Sequence, residues 1–224
     1  MDWKIFAAAP LAAVLLVASA APLAPLNGWS SGSTGKTSKA YLMGIDNSVQ
    51  FQGQRSISVQ SQEGLVEADS HAGVIQSAFG YQGRRVRFSG WMRSADVKQW
   101  AGAFVRVDAE GTERFFGSGA RKDLKAEDLP FGAGGSSSQE RWMEVSIVVD
   151  VPNTPTAMVS MGAMVVGEGK VWLSAMRFEE VGLDVPLTTA RIGMPLPTPE
   201  QRAAEAKRLA EKASRRIPPN LSLE

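Results

Sequence analysis

Cysteine is absent from the 224 residues, and histidine occurs once, as His71. The first absence excludes disulfide staples, thiolate metal sites and cysteine nucleophiles. The second removes paired-histidine zinc sites and leaves a single histidine that could act as a base. A lone histidine is ordinarily a surface or loop residue. Neither sign of charge is in excess, with 24 basic against 23 acidic side chains and a net charge of +1. That balance argues against nucleic acid as a partner, because proteins that bind it concentrate basic charge. Helical periodicity is also missing before about residue 198. What remains is 44% hydrophobic and 21% charged, an ordinary composition for one folded domain. A chain of this length can bury about 70% of the surface its unfolded form exposes.

The N-terminus reads as an export signal. Met1-Asp2-Trp3-Lys4 precedes an apolar run from Ile5 to Val17, and Ala18-Ser19-Ala20 closes it with a small-residue cleavage pattern. Cleavage is expected after Ala20, giving a periplasmic or secreted protein. A membrane association follows only if the signal is kept, and Pro10, Pro22 and Pro25 argue against a continuous spanning helix. The expected organisation is a signal over 1–20, a loop lead-in over 21–39, a β-sandwich over 40–182 and a proline-containing linker over 183–197. A tail helix over 198–216 and a C-terminal tail over 217–224 complete it.

Within the lead-in, the Gly/Ser/Thr stretch from Asn27 to Ser38 reads as loop. Nine strand-like runs follow: Ala40–Ile45, Arg55–Gln60, Val74–Phe79, Arg84–Ser94, Ala101–Ala109, Arg114–Gly117, Trp142–Asp150, Ala157–Val166 and Lys170–Val181. Many short strands separated by turn signals indicate an all-β antiparallel sandwich, here expected as a jelly roll. Alternation assigns faces. Val86, Phe88, Gly90 and Met92 share one side, with Arg85, Arg87, Ser89, Trp91 and Arg93 on the other. Ala103, Val105 and Val107 read as core-facing, and Phe104, Arg106 and Asp108 as outward. Val145, Ile147 and Val149 alternate in the same way with Glu144, Ser146 and Val148.

Residues 121–129 could hold one helical turn, and Gly132–Ser138 reads as a flexible loop. Beyond Pro195 and Pro197, Thr198-Pro199-Glu200-Gln201 forms a helix-start pattern with Thr as cap, Pro at the first helical position and Gln at the third. Ala203, Ala206, Leu209, Ala210 and Ala213 lay a thin apolar stripe on the charged helix that follows. Such a helix either docks on the sandwich, serves a protein partner or stays solvated.

Catalytic motifs are weak. Gly35-Lys36-Thr37 resembles the end of a phosphate loop, but Ser30 stands where the first glycine is required. A Ser-His-Asp arrangement could draw on only one histidine, His71. Asp108 and Glu144 could both face outward, as a carboxylate pair for glycan cleavage would need. The better clue is an outward set that includes Trp91, Arg93, Phe104, Arg106, Asp108 and Glu144. If the strands carrying Trp91 and Phe104 are neighbours, an aromatic could stack on a sugar's apolar face while Arg or Asp holds its hydroxyls. The structural alternative is that a loop or the C-terminal tail covers both rings. Trp100, Trp142 and Trp172 read as core or rim anchors. No cofactor is expected; a structural calcium ion stays open, because scattered loop oxygens leave no sequence pattern.

The order of residues also resembles a bacterial family of carbohydrate-binding-module-like (galactose-binding-like) jelly-roll domains, some of them labelled as regulators. The resemblance is carried by Gly28-Trp29, Gly32-Ser33, Tyr41, Met43-Gly44, Asp46 and the turn from Gly53 to Ser56. It continues through Gly73-Val74-Ile75-Gln76, the run Gly83–Ser89, Trp100-Ala101-Gly102, Arg106-Val107-Asp108, Trp142 and Asp150-Val151-Pro152. It closes on Gly167–Trp172, with partial likeness at Pro219-Asn220-Leu221. Two departures stand out. Ser174-Ala175 replace an Asp-Asp pair of the relatives, and residues 114–129 lack their Asp-Asn-Met-x-x-Arg-Pro-like run. The resemblance implies a sandwich and leaves the ligand open, since fold does not dictate function. The expected function is therefore an exported non-catalytic module recognising glycan or another envelope polymer. The alternatives are a protein-interaction or structural module of the envelope, and a carboxylate-dependent glycan enzyme.

Overall fold

The computed structural model describes residues 22–35, 39–67, 70–109, 112–121 and 141–188, together with 219, 221 and 223. The expected signal, the 132–138 loop and the tail helix lie outside the described residues. Among the described residues there are ten strands: β1 (Ser30–Ser33), β2 (Tyr41–Phe51), β3 (Gln54–Ser61), β4 (His71–Ala78) and β5 (Arg85–Ala95), then β6 (Trp100–Ala109), β7 (Thr112–Arg121), β8 (Met143–Asp150), β9 (Met158–Val166) and β10 (Lys170–Val181). They form two five-stranded antiparallel sheets, one ordered β2-β3-β10-β5-β8 and the other β1-β4-β9-β6-β7. We call them sheet A and sheet B. The described residues form an all-β sandwich, as the strand patterning predicts.

Each predicted run coincides with a strand, and one strand is additional. Ser30–Ser33 lies in the stretch read as loop, yet pairs residue for residue with Ala72–Ile75 of β4. Its serines and glycine carry no strand propensity. The ladder forms through backbone groups, which every residue supplies, at the exposed edge of sheet B. His71 is likewise a strand residue at the start of β4, and is half-buried.

The core lies between the two sheets. Alternation places it correctly: β5 is buried at every second position, Val86, Phe88, Gly90 and Met92 among them. Phe88, Ile57, Met92, Ile147, Met161 and Leu173 are its largest fully buried side chains, each contributing about 1.5–3 kcal/mol by leaving water. The β2–β3 hairpin turns on Gln52 and Gly53, both at positive φ (49° and 79°), the two-residue geometry whose twist suits paired strands. Past β10 the chain returns to cover an edge. Thr188 takes the carbonyl of Val148 on its backbone N–H at 2.9 Å, and its Oγ1 accepts from Val148 N at 2.9 Å. The backbone of β8, an edge strand of sheet A, is thereby partly satisfied.

Candidate functional site

Sheet topology divides the predicted site. Trp91 and Arg93 on β5 and Glu144 on β8 belong to sheet A, and Phe104, Arg106 and Asp108 on β6 belong to sheet B. The expectation that they share one sheet surface is corrected. The chain crosses the sandwich between β5 and β6, so the two groups occupy opposite outer faces. Asp108 and Glu144 are parted for the same reason, with two sheets about 10 Å apart between them. They cannot flank one glycosidic bond.

The outer face of sheet A is largely closed by its own side chains. Ser56, Ser58 and Ser174 are outward in register but fully buried. Asp46 organises the cover. Its Oδ1 accepts from Ser48 N (2.9 Å), Ser48 Oγ (2.6 Å) and Val49 N (3.1 Å), and its Oδ2 from Trp172 Nε1 (2.8 Å). Burial is the largest single influence on this carboxyl and pushes its pKa up. The hydrogen bonds from Ser48, Trp172 and Val49 together outweigh it and hold the group below the usual range. The β2 irregularity between Asp46 and Gln50 brings Phe51 against Trp91, with centroids 4.3 Å apart and planes 14° from parallel. Trp142 meets Phe51 edge-on at 5.6 Å. One ring face of Trp91 is therefore occupied by Phe51. Arg93 lies over the Trp172 ring, Cζ 5.5 Å from its centroid. Ser174 Oγ donates toward Arg55 O (2.8 Å) and Gln54 O (3.0 Å).

The outer face of sheet B carries a groove of about 400 Å³, lined by Ser30–Thr34, His71, Gly73, Ile75, Phe104, Arg106 and Met164. Register explains its shape. One row across the strands runs Phe104, Gly162, Ile75, Ser30, and the next runs Gly102, Met164, Gly73, Gly32. Four of those eight positions are glycine, so the floor drops to backbone where side chains would otherwise stand. A polar row bounds one side, with Arg106, Ser160 and Ser77 in register and the two serine hydroxyls 3.1 Å apart. The other side carries Trp100, Val166 and His71.

Within the groove, Phe104 is outward as predicted but only 2% exposed, so it forms packed floor and not an open platform. Arg106 Nε donates to Asp108 Oδ2 at 2.9 Å, which fixes the guanidinium. His71 N donates to Thr34 Oγ1 at 2.9 Å, and that hydroxyl lies 3.1 Å from His71 Nδ1. Burial holds the imidazole below its ordinary pKa, which keeps it neutral at pH 7. Of the residues proposed from sequence, Phe104 and Arg106 line this groove and Asp108 stands beside Arg106; the β1 serines, Thr34, His71 and the glycine rows were not among them. A glycine at alternate positions in several strands is the one signal that could have shown them. Among the described residues no cluster of three or more acidic or histidine side chains could hold a metal ion.

No family model matches the chain. It is 28% identical over 151 residues to the uncharacterized HTH-type transcriptional regulator YbfP of Bacillus subtilis (strain 168), a match covering 66% of this chain. It spans 46% of that curated relative's length. The solved structures it resembles are mostly carbohydrate-binding modules. TmCBM61 in complex with beta-1,4-galactotriose has a TM-score of 0.41 at 12% identity, over 70% of this chain and 91% of that one. The CBM22-1 xylan-binding domain from Paenibacillus barcinonensis Xyn10C has a TM-score of 0.43 at 13% identity, over 70% and 88%.

Proposed function

We propose that the chain is a non-catalytic glycan-binding module of jelly-roll type, acting outside the cytoplasm, whose ligand lies across sheet B. The observation that carries this reading is the glycine-floored groove. From β1 to β6 it crosses three inter-strand steps, about 14 Å, the scale of a short oligosaccharide. Its floor is shallow and apolar, with Ile75 half-exposed beside Gly73 and Gly162, which suits the C–H face of a sugar ring. Its margins are polar, with exposed serines on β1, Thr34 and a guanidinium held in place by Asp108. Hydroxyl-rich margins around a shallow apolar floor suit a ligand that is itself polar at its rim and apolar on its faces.

Gly32 gives a clean test. A Cβ built there meets nothing within 4 Å, and the residue has no positive φ that would strain a side chain. Gly32→Phe is expected to fill the groove while the fold stays intact. Calorimetric titration with β-1,4-galactotriose and xylan oligomers should show affinity falling by at least about tenfold, or 1.4 kcal/mol, with melting temperature unchanged. Unaltered affinity in a folded variant would remove the groove from the binding site. A wild-type chain that retains nothing from a broad glycan panel would shift the reading to a protein partner.

A further inference from the structure

We propose a second binding site on the opposite sheet, centred on Arg93, that takes the carboxylate of an acidic sugar. It does not rest on the groove. Three arginines project from the outer side of β5, and two are paired: Arg85 with Asp150 at 2.7 Å and Arg87 with Glu179 at 2.7 Å. Among the described residues Arg93 has no ion-pair or hydrogen-bond partner. Its Nε is buried without an acceptor, an arrangement that folding alone does not reward.

The surroundings explain why the protein supplies no acceptor. Asp46 is the nearest buried carboxylate, and both its oxygens are committed, Oδ2 to Trp172 Nε1 and Oδ1 to Ser48 and Val49. Trp172 lies between, opposite Arg93 in the β10–β5 register, and backs the guanidinium with its ring. Glu144 is opposite Trp91, exposed, and makes no ion pair with Arg93. Nε is buried and without an acceptor, while the Arg93 side chain as a whole is half-buried and so keeps some contact with solvent. A half-buried guanidinium lying over an indole, with no carboxylate partner of its own, is a fork placed for a planar carboxylate. Half-buried aromatic rings flank it, Trp91 stacked on Phe51 and Trp142 one residue before the β8 partner of Met92. Those rings suit a carboxylate carried on a compact ring with apolar C–H faces. The chemistry is that of a uronic acid residue in a glycan.

The test compares the full chain with Arg93→Met and Arg93→Lys, each also carrying Gly32→Phe to silence the groove. The probes are a galacturonic acid trimer and its carboxyl-reduced galactose trimer, titrated calorimetrically at low salt, with thermal melting in parallel. The acid trimer is expected to bind the Arg93 protein, at least about tenfold less tightly when Arg93 is Met, and at intermediate strength with Lys, which keeps charge but loses the fork. The reduced trimer should show no dependence on residue 93. Arg93→Met should also melt at the same temperature or higher, because the orphan N–H is gone and the flexible side chain still covers Trp172. The proposal is overturned if the acid trimer fails to bind, if its affinity ignores Arg93→Met, or if that variant melts more than about 5 °C lower. An acidic peptide binding through Arg93 as tightly as the trimer would overturn the sugar assignment.

Discussion

Gly162→Ala is expected to destabilise the protein by at least about 3 kcal/mol and to lower its melting temperature by about 6–12 °C, a large effect for one methyl group. Gly162 sits mid-strand in β9, between Ile75 on β4 and Phe104 on β6. A Cβ there would fall far inside van der Waals contact with the Val74 carbonyl oxygen and 2.9 Å from its carbon. Both atoms are backbone, so no rotamer change relieves the clash. The β4–β9 ladder must open, or β9 must rotate and take Met161 and Ala163 out of the core they share. Calorimetric melting checks this, with Gly32→Ala as the neutral control because its site is open. A Gly162→Ala protein melting within about 2 °C of wild type would refute the close approach of the two strands.

The same glycine shapes the groove. Strands that approach closely at Gly162 leave the outer face of sheet B without a side chain between Phe104 and Ile75. Stability and binding surface therefore depend on one position. A larger residue there would raise the floor and disturb the strands that carry it, so a loss of binding at 162 cannot by itself locate a ligand. Gly32, at the open edge, separates the two effects.

Much of this architecture is legible in the sequence, and the boundary of legibility has a physical cause. Alternation in β5 states which side of each residue faces the core, and the burial of Val86, Phe88 and Met92 follows it. Alternation says nothing about which sheet a strand joins. Between β5 and β6 lie only residues 96–99, a length that suits a hairpin within one sheet as well as a crossing at the sandwich end. The crossing is what places Trp91 and Phe104 back to back. The fate of those rings was equally hidden. Phe51, which stacks on Trp91, is brought there by an irregularity in β2 whose cause is Asp46 and its four hydrogen bonds, not a hydrophobic pattern. Trp172, read as a core or rim anchor, is 7% exposed and held by that same carboxylate. At the groove, β1 is invisible to propensity because its contribution is backbone.

Asp46→Ala should show how much of sheet A's cover hangs on one side chain, with an expected cost of about 3 kcal/mol at neutral pH. The substitution leaves Trp172 Nε1 buried without an acceptor and frees the Val49 N–H, so Phe51 should lose its place on Trp91. Asp46→Asn, which keeps one acceptor oxygen, should cost less. The pH dependence supplies the sharper check. The folded carboxyl is held below its ordinary pKa, so the unfolded chain binds its proton first as pH falls. The stability that Asp46 contributes is then fully present above the unfolded value of about 3.9 and is lost as pH drops through the lower folded value. The difference in melting temperature between wild type and Asp46→Asn should stay flat from pH 7 to 5 and shrink below about pH 4. A gap that closes already near pH 6, or one unchanged at pH 2, would show that the carboxylate is not what holds the cover down.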